Sequence, residues 1–112
     1  SEAFYSTKLT GLDLSEATSL VEIGSWAFYD TGLAGTLVIP AKLTTIGQSA
    51  FRNTELMGLD LSKATSLVEM EGSAFTGTDL QGTLVIPATV ATIGPCAFQY
   101  TKLTRLDLSN AT

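Results

Sequence analysis

The dipeptide Ala-Phe recurs at Ala3-Phe4, Ala27-Phe28, Ala50-Phe51, Ala74-Phe75 and Ala97-Phe98, so the phenylalanines step along the chain by 24, 23, 24 and 23 residues. A fixed period of this size means one supersecondary unit stacked on copies of itself. Such arrays build extended recognition surfaces rather than enclosed reaction pockets. The period therefore predicts a solenoid and leaves the ligand open.

Alignment on the phenylalanines separates two alternating repeat types. In the first, Phe4, Leu9, Leu12, Leu14, Leu20 and Ile23 lead to Phe28, and Phe51, Leu56, Leu59, Leu61, Leu67 and Met70 lead to Phe75. In the second, Phe28, Leu33, Leu37, Ile39, Leu43 and Ile46 lead to Phe51, and Phe75, Leu80, Leu84, Ile86, Val90 and Ile93 lead to Phe98. The first type spends nine residues from strand end to the next apolar anchor (Leu14 to Ile23), the second seven (Ile39 to Ile46). The true unit is thus a 47-residue pair of coils.

The alternation in Leu12-Asp13-Leu14 and Leu37-Val38-Ile39 marks short strands with one face inward. They recur once per coil and are expected to lie parallel and side by side. Pro40 and Pro87 close the second-type strands by withholding an N–H. Ser-x-Ala-Thr is expected to close the first type through side-chain bonding to the backbone. Gly24, Gly47 and Gly94 are expected to turn the chain at positive φ before each Ala-Phe. The Trp26 to Asp30 stretch has room for no more than a helical turn or irregular coil.

The 112 residues, 45% apolar and 15% charged, suit one array of about five coils. It opens inside one repeat and stops inside another, which predicts a piece of a longer protein. No run approaches the roughly 18 apolar residues of a membrane span. A net charge of -5, with six scattered basic residues, argues against nucleic acid. The absence of histidine removes the usual general base, zinc ligand and triad member. The Glu69 and Glu71 carboxylates flank the inward Met70 and read as a solvated rim, so no catalytic residue is expected.

The succession Leu-x-x-x-Leu-Val-Ile-Pro-Ala-x-Leu-x-x-Ile-Gly-x-x-Ala-Phe-x-x-Thr resembles the leucine-rich repeats of Bacteroides surface protein A and the Treponema pallidum class, over essentially the whole chain. The resemblance implies a leucine-rich-repeat solenoid with a parallel β-sheet on the concave face and turns or short irregular or helical segments on the convex side. It also implies a large surface or secreted protein that adheres to host proteins or neighbouring cells. This chain departs from the family pattern in its Leu-Asp-Leu-Ser strands and in Glu71, where glycine is usual.

Each chemically suggestive feature competes with a plainer one. The phenylalanines could line an aromatic box, but their strict period predicts a stacked core spine. Thr7, Thr31, Thr54, Thr78 and Thr101 follow each Phe by three and occupy a place where the family carries an inward Cys. They are read as hydrogen-bonding within the coil rather than as an outward ice-binding ladder. Cys96 shares its column with Glu2, Trp26, Ser49 and Ser73, which predicts a peripheral position. Asp13, Asp60 and Asp107 fall on alternate strands, about 9.6 Å apart at the usual strand spacing, too far to share a calcium ion. Gly72 to Thr78 has the spacing of a phosphate loop without its lysine. Neither metal nor cofactor is expected.

What remains is surface. The outward strand positions Asp13, Val38, Asp60, Val85 and Asp107, with Thr36, Thr83 and Arg105 two residues before their neighbours in the row, form the expected partner-binding face. A protein ligand is expected there. A second patch of Tyr5, Trp26, Tyr29 and Tyr100 could serve the same end or merely cover the core edge. The rival function is a structural stalk or spacer without a ligand, favoured by near-identity of the two 47-residue units. The apolar row Leu103, Leu106 and Leu108 predicts end-to-end self-association.

Overall fold

The computed structural model describes residues 19–107. The chain winds as a parallel-strand solenoid of about four turns, with no helix among the described residues. Two-residue strands at the apolar anchors, β1 (Glu22–Ile23), β3 (Thr45–Ile46), β5 (Glu69–Met70) and β7 (Thr92–Ile93), alternate with longer ones. The longer strands are β2 (Ala34–Val38), β4 (Glu55–Asp60), β6 (Gln81–Val85) and β8 (Lys102–Asp107).

The anchor strands form one continuous parallel sheet, β1-β3-β5-β7. The longer strands depart from the single sheet expected for them. β2 pairs with β4 and β6 with β8, but β4 and β6 form no ladder. The cause is the unequal length of alternate coils. Leu37, Leu59, Leu84 and Leu106 are separated by 22, 25 and 22 residues, whereas the anchors step by 23 or 24. A first-type strand therefore cannot stay in register with both neighbours. It follows the preceding coil by bulging at Met57, where the register shifts between Gly35 and Thr36, and loses the following coil.

The core is the predicted one. Phe28, Phe51, Phe75 and Phe98 stack with centroids 5.1, 5.2 and 5.7 Å apart and planes within 8° of parallel. The remaining phenylalanine, Phe4, lies outside the described residues. Leu33, Leu37, Ile39, Leu43, Ile46 and their equivalents in later coils complete a single apolar column. Ala27, Ala50, Ala74 and Ala97 are buried at the tight turn beside each ring.

The turns differ from expectation in where positive φ falls. Gly24, Gly47 and Gly94 do not adopt it. Left-handed backbone occurs instead two residues before each Phe, at Trp26, Ser49, Ser73 and Cys96, and two after, at Asp30, Asn53, Gly77 and Tyr100. Gly35 and Gly82, at φ of 81° and 76°, make the second-type coils' entry into the strand. Gly47 has a different role: a Cβ there would lie 2.5 Å from the Ser25 nitrogen in the preceding coil. Where Glu71 replaces glycine, its carboxylate accepts the Gln48 N–H at 3.1 Å.

Around Phe28, Phe51 and Phe75 the N–H groups alternate in direction. Those of Trp26, Phe28 and Asp30 donate to the carbonyls of Gln48, Ala50 and Arg52 in the next coil, at 2.8 to 2.9 Å. Those of Ala27, Tyr29 and Thr31 turn back three residues within their own coil. The same pattern links Ser49, Phe51 and Asn53 to the coil after. Ser49 is buried while Cys96 is exposed, so their shared column is peripheral only in part.

Among the described residues the threonine row bonds within its coil as expected, with one exception, and Thr7 lies outside them. Thr31, Thr54 and Thr101 hydroxyls donate to the carbonyls of Phe28, Phe51 and Phe98 at 2.9 to 3.0 Å. Thr78 is 2% exposed and its hydroxyl has no partner. A buried hydroxyl left unpaired is a net cost, and a paired one a net gain. Thr78→Val should therefore raise stability in urea unfolding by about 1 kcal/mol, and Thr54→Val should lower it by about as much.

Candidate functional site

The outward positions of the long strands come together in two register pairs. Val38 lies beside Asp60 across β2 and β4, and Val85 beside Asp107 across β6 and β8. Thr36 and Thr83 stand beside Gly58 and Arg105 in the same ladders. Asp13 lies outside the described residues. The face is thus two short ribbons, each joining an aliphatic to an acidic row, rather than one unbroken sheet.

Between the ribbons is a groove of about 500 Å³. Leu59 to Ser62 line one bank, and Thr83, Leu84, Val85 and Pro87 the other. Asp60 is the only charged side chain in this lining. Leu59 is half-buried where its equivalents Leu37 and Leu84 are buried. Val85 is 44% exposed on the opposite bank.

Asp60 is also where the first-type strand is closed, and the Ser-x-Ala-Thr segment contributes the expected bond to the backbone, the Thr65 hydroxyl donating to the Ala41 carbonyl at 3.5 Å. The aspartate carboxylate itself caps the turn, accepting the Ser62 hydroxyl at 2.6 Å and the Ser62 N–H at 2.9 Å. The hydroxyl bond first, and then the amide bond, hold the carboxyl below its usual range. A carboxylate with a depressed folded value contributes stability above its unfolded value, lost as pH falls through the folded one. Ser62→Ala should therefore destabilise the array at pH 7, and in thermal unfolding the difference from wild type should shrink as pH falls below the usual carboxylate range.

The aromatic edge is smaller than the sequence suggests. Trp26 and Tyr29 meet edge to face at 4.8 Å, both half-buried. Tyr100, 78% exposed, lies three coils further along, and Tyr5 falls outside the described residues. Among the described residues no group of three acidic or thiol side chains could hold a metal ion, and no helix is long and apolar enough to cross a membrane. Cys96 is a free, exposed thiol.

Sequence reasoning did not find Leu59, Leu61, Leu84 and Pro87 as groove residues. The signal was present in the 22- and 25-residue spacing of the strand leucines.

A coiled chain of parallel strands, leucine-filled inside and with one short strand pair per turn, defines a leucine-rich-repeat solenoid. Residues 1–112 match the BspA type leucine rich repeat region in six copies, and the chain belongs to that family. Its repeats suit protein interaction and are typically noncatalytic, and its members are generally surface or secreted proteins. No curated protein and no solved structure matches the chain.

Proposed function

We propose that the array is a noncatalytic adhesion or protein-recognition module of a cell-surface or secreted protein. Its partner lies on the outward strand face formed by Thr36, Val38, Asp60, Thr83, Val85, Arg105 and Asp107, with Asp13 the equivalent position one unit earlier. The supporting observation is the register that sets Val38 beside Asp60 and repeats it as Val85 beside Asp107. A partner collects like contacts from both ribbons. Its complementary surface is basic, so encounter is faster at low salt.

The test uses beads carrying the array, exposed to a panel of purified cell-surface and extracellular proteins. A protein bound by wild type, lost by the Thr36→Lys/Val38→Glu double variant and kept by Gln99→Lys supports the face. A stalk that only holds other domains apart binds none of the panel, or binds equally in all three forms. Its support is the near-identity of the 47-residue units, whereas Trp26, Arg52 and Arg105, which break the repetition, favour recognition. Copies of the array also have an exposed route to each other: β8 is paired only with β6 among the described residues, and Leu106 is 37% exposed. Sedimentation velocity should show association that grows with concentration.

A further inference from the structure

We propose that the groove between β4 and β6 receives one lysine side chain of a protein partner, its methylene stem on Leu59, Val85 and Pro87 and its ammonium on the Asp60 carboxylate. The inference rests on the recognition reading above and names the side chain the partner supplies. The core sets what can enter. The rings of Phe51 and Phe75 stack at 5.2 Å, and β4 approaches β6 within 8 Å between Cα atoms, so the gap has no room for a further backbone. Yet no ladder joins the two strands, and their outward side chains leave a groove between them. Leu61 and Leu84 are buried and form its floor. What a partner can touch is Leu59 and Asp60 on one bank and Val85 and Pro87 on the other, which a single side chain fills.

That side chain is apolar along its length and positive at its end. Val85 is exposed and Leu59 and Pro87 are half-buried, so the banks favour an aliphatic stem. The head meets Asp60, the one charge in the lining. Asp60 Oδ1 accepts both the Ser62 hydroxyl and the Ser62 N–H, which occupy the two acceptor positions of that oxygen. Oδ2 remains for a ligand. An arginine fork makes its paired bonds to both oxygens of a carboxylate, whereas an ammonium needs only one, so lysine suits Asp60 better than arginine. The site is not already neutralised from within the chain. After the hydroxyl and amide bonds of Ser62, the charge of Lys63 also favours ionised Asp60, but no ion pair joins the two. Asp79, by contrast, is engaged by Lys102 at 3.6 Å.

The probe is N-acetyl-lysine N-methylamide, titrated into the 15N-labelled array and followed by amide chemical shifts. Shifts should concentrate at residues 59–62 and 83–86 and saturate in the millimolar range. The Nε-acetylated derivative keeps the stem and loses the charge, and the diaminopropionic acid derivative keeps the charge and loses most of the stem. Each should bind about 3-fold more weakly than lysine. The arginine derivative should bind no more tightly than lysine. Asp60→Asn should weaken lysine binding about 2- to 5-fold and remove its salt dependence. If that variant does not fold, the two lysine derivatives decide the matter on wild type. Equal binding of the Nε-acetylated derivative, wild-type affinity in Asp60→Asn, or shifts spread evenly over Glu22, Glu55 and Asp79 overturns the proposal. A panel partner still lost by Thr36→Lys/Val38→Glu after such a result leaves the recognition face standing without the lysine site.

Discussion

Phe51→Ala should lower the stability of the array by about 3–5 kcal/mol, the range for emptying a fully packed aromatic site. Phe51 has no exposed surface and is stacked on both faces, by Phe28 at 5.1 Å and Phe75 at 5.2 Å. Collapse into the void is opposed because the coils on either side are held at fixed height by the hydrogen bonds of Phe28 and Phe51 to the next coil. Urea unfolding followed by far-ultraviolet circular dichroism measures the loss, and a value below 1 kcal/mol would sink the stacked spine. Phe98→Ala should cost less, since that ring is only half-buried and is stacked on one face among the described residues.

Gly47→Ala should cost about 3 kcal/mol, toward the upper end for overpacking, although it adds one methyl group. The new Cβ would fall 2.5 Å from the Ser25 nitrogen, 2.6 Å from the Gly24 carbonyl carbon and 2.8 Å from the Ile23 oxygen. All three are backbone atoms of the preceding coil, so relief requires spreading the coils and stretching the Gly47 N–H bond to Ile23 from 2.8 Å. Glu71→Gly, at the equivalent position, should cost only about 1 kcal/mol for the lost Gln48 contact. If both changes prove equally mild, contact between coils is looser at this turn than the geometry states.

The parts legible from sequence were those fixed by a column of like residues. Phe28, Phe51, Phe75 and Phe98 had to stack because the period left them nowhere else to go, and Leu33, Ile39, Leu43 and Ile46 followed. The parts that escaped were those where two coil lengths compete. Leu59 looks like Leu37 and Leu84 in sequence, yet it faces a gap, because its distance from the next strand leucine is 25 residues rather than 22. Hydrophobic pattern identifies each strand, but it says nothing of how far one strand slides past the next. The turn glycines were misread for a related reason. Gly47 is required by a backbone packed against it from the preceding coil, a contact no local propensity records.

The two left-handed rows bracketing each ring bear on how such arrays diversify. Trp, Ser, Ser and Cys share one row and Asp, Asn, Gly and Tyr the other, all at φ between 53° and 73°. A left-handed backbone normally restricts a position to glycine or asparagine, at about 1–2 kcal/mol for other residues. Six of these positions are bonded to the next coil, and Cys96 and Tyr100 adopt the same conformation without such a bond among the described residues, so the turn itself sets the backbone and the penalty differs little among its occupants, none of them β-branched. Mutation can therefore exchange tryptophan for serine or tyrosine for aspartate on these rows while the Ala-Phe between them stays fixed. Duplicated coils acquire individual surfaces there first, at a nearly constant stability.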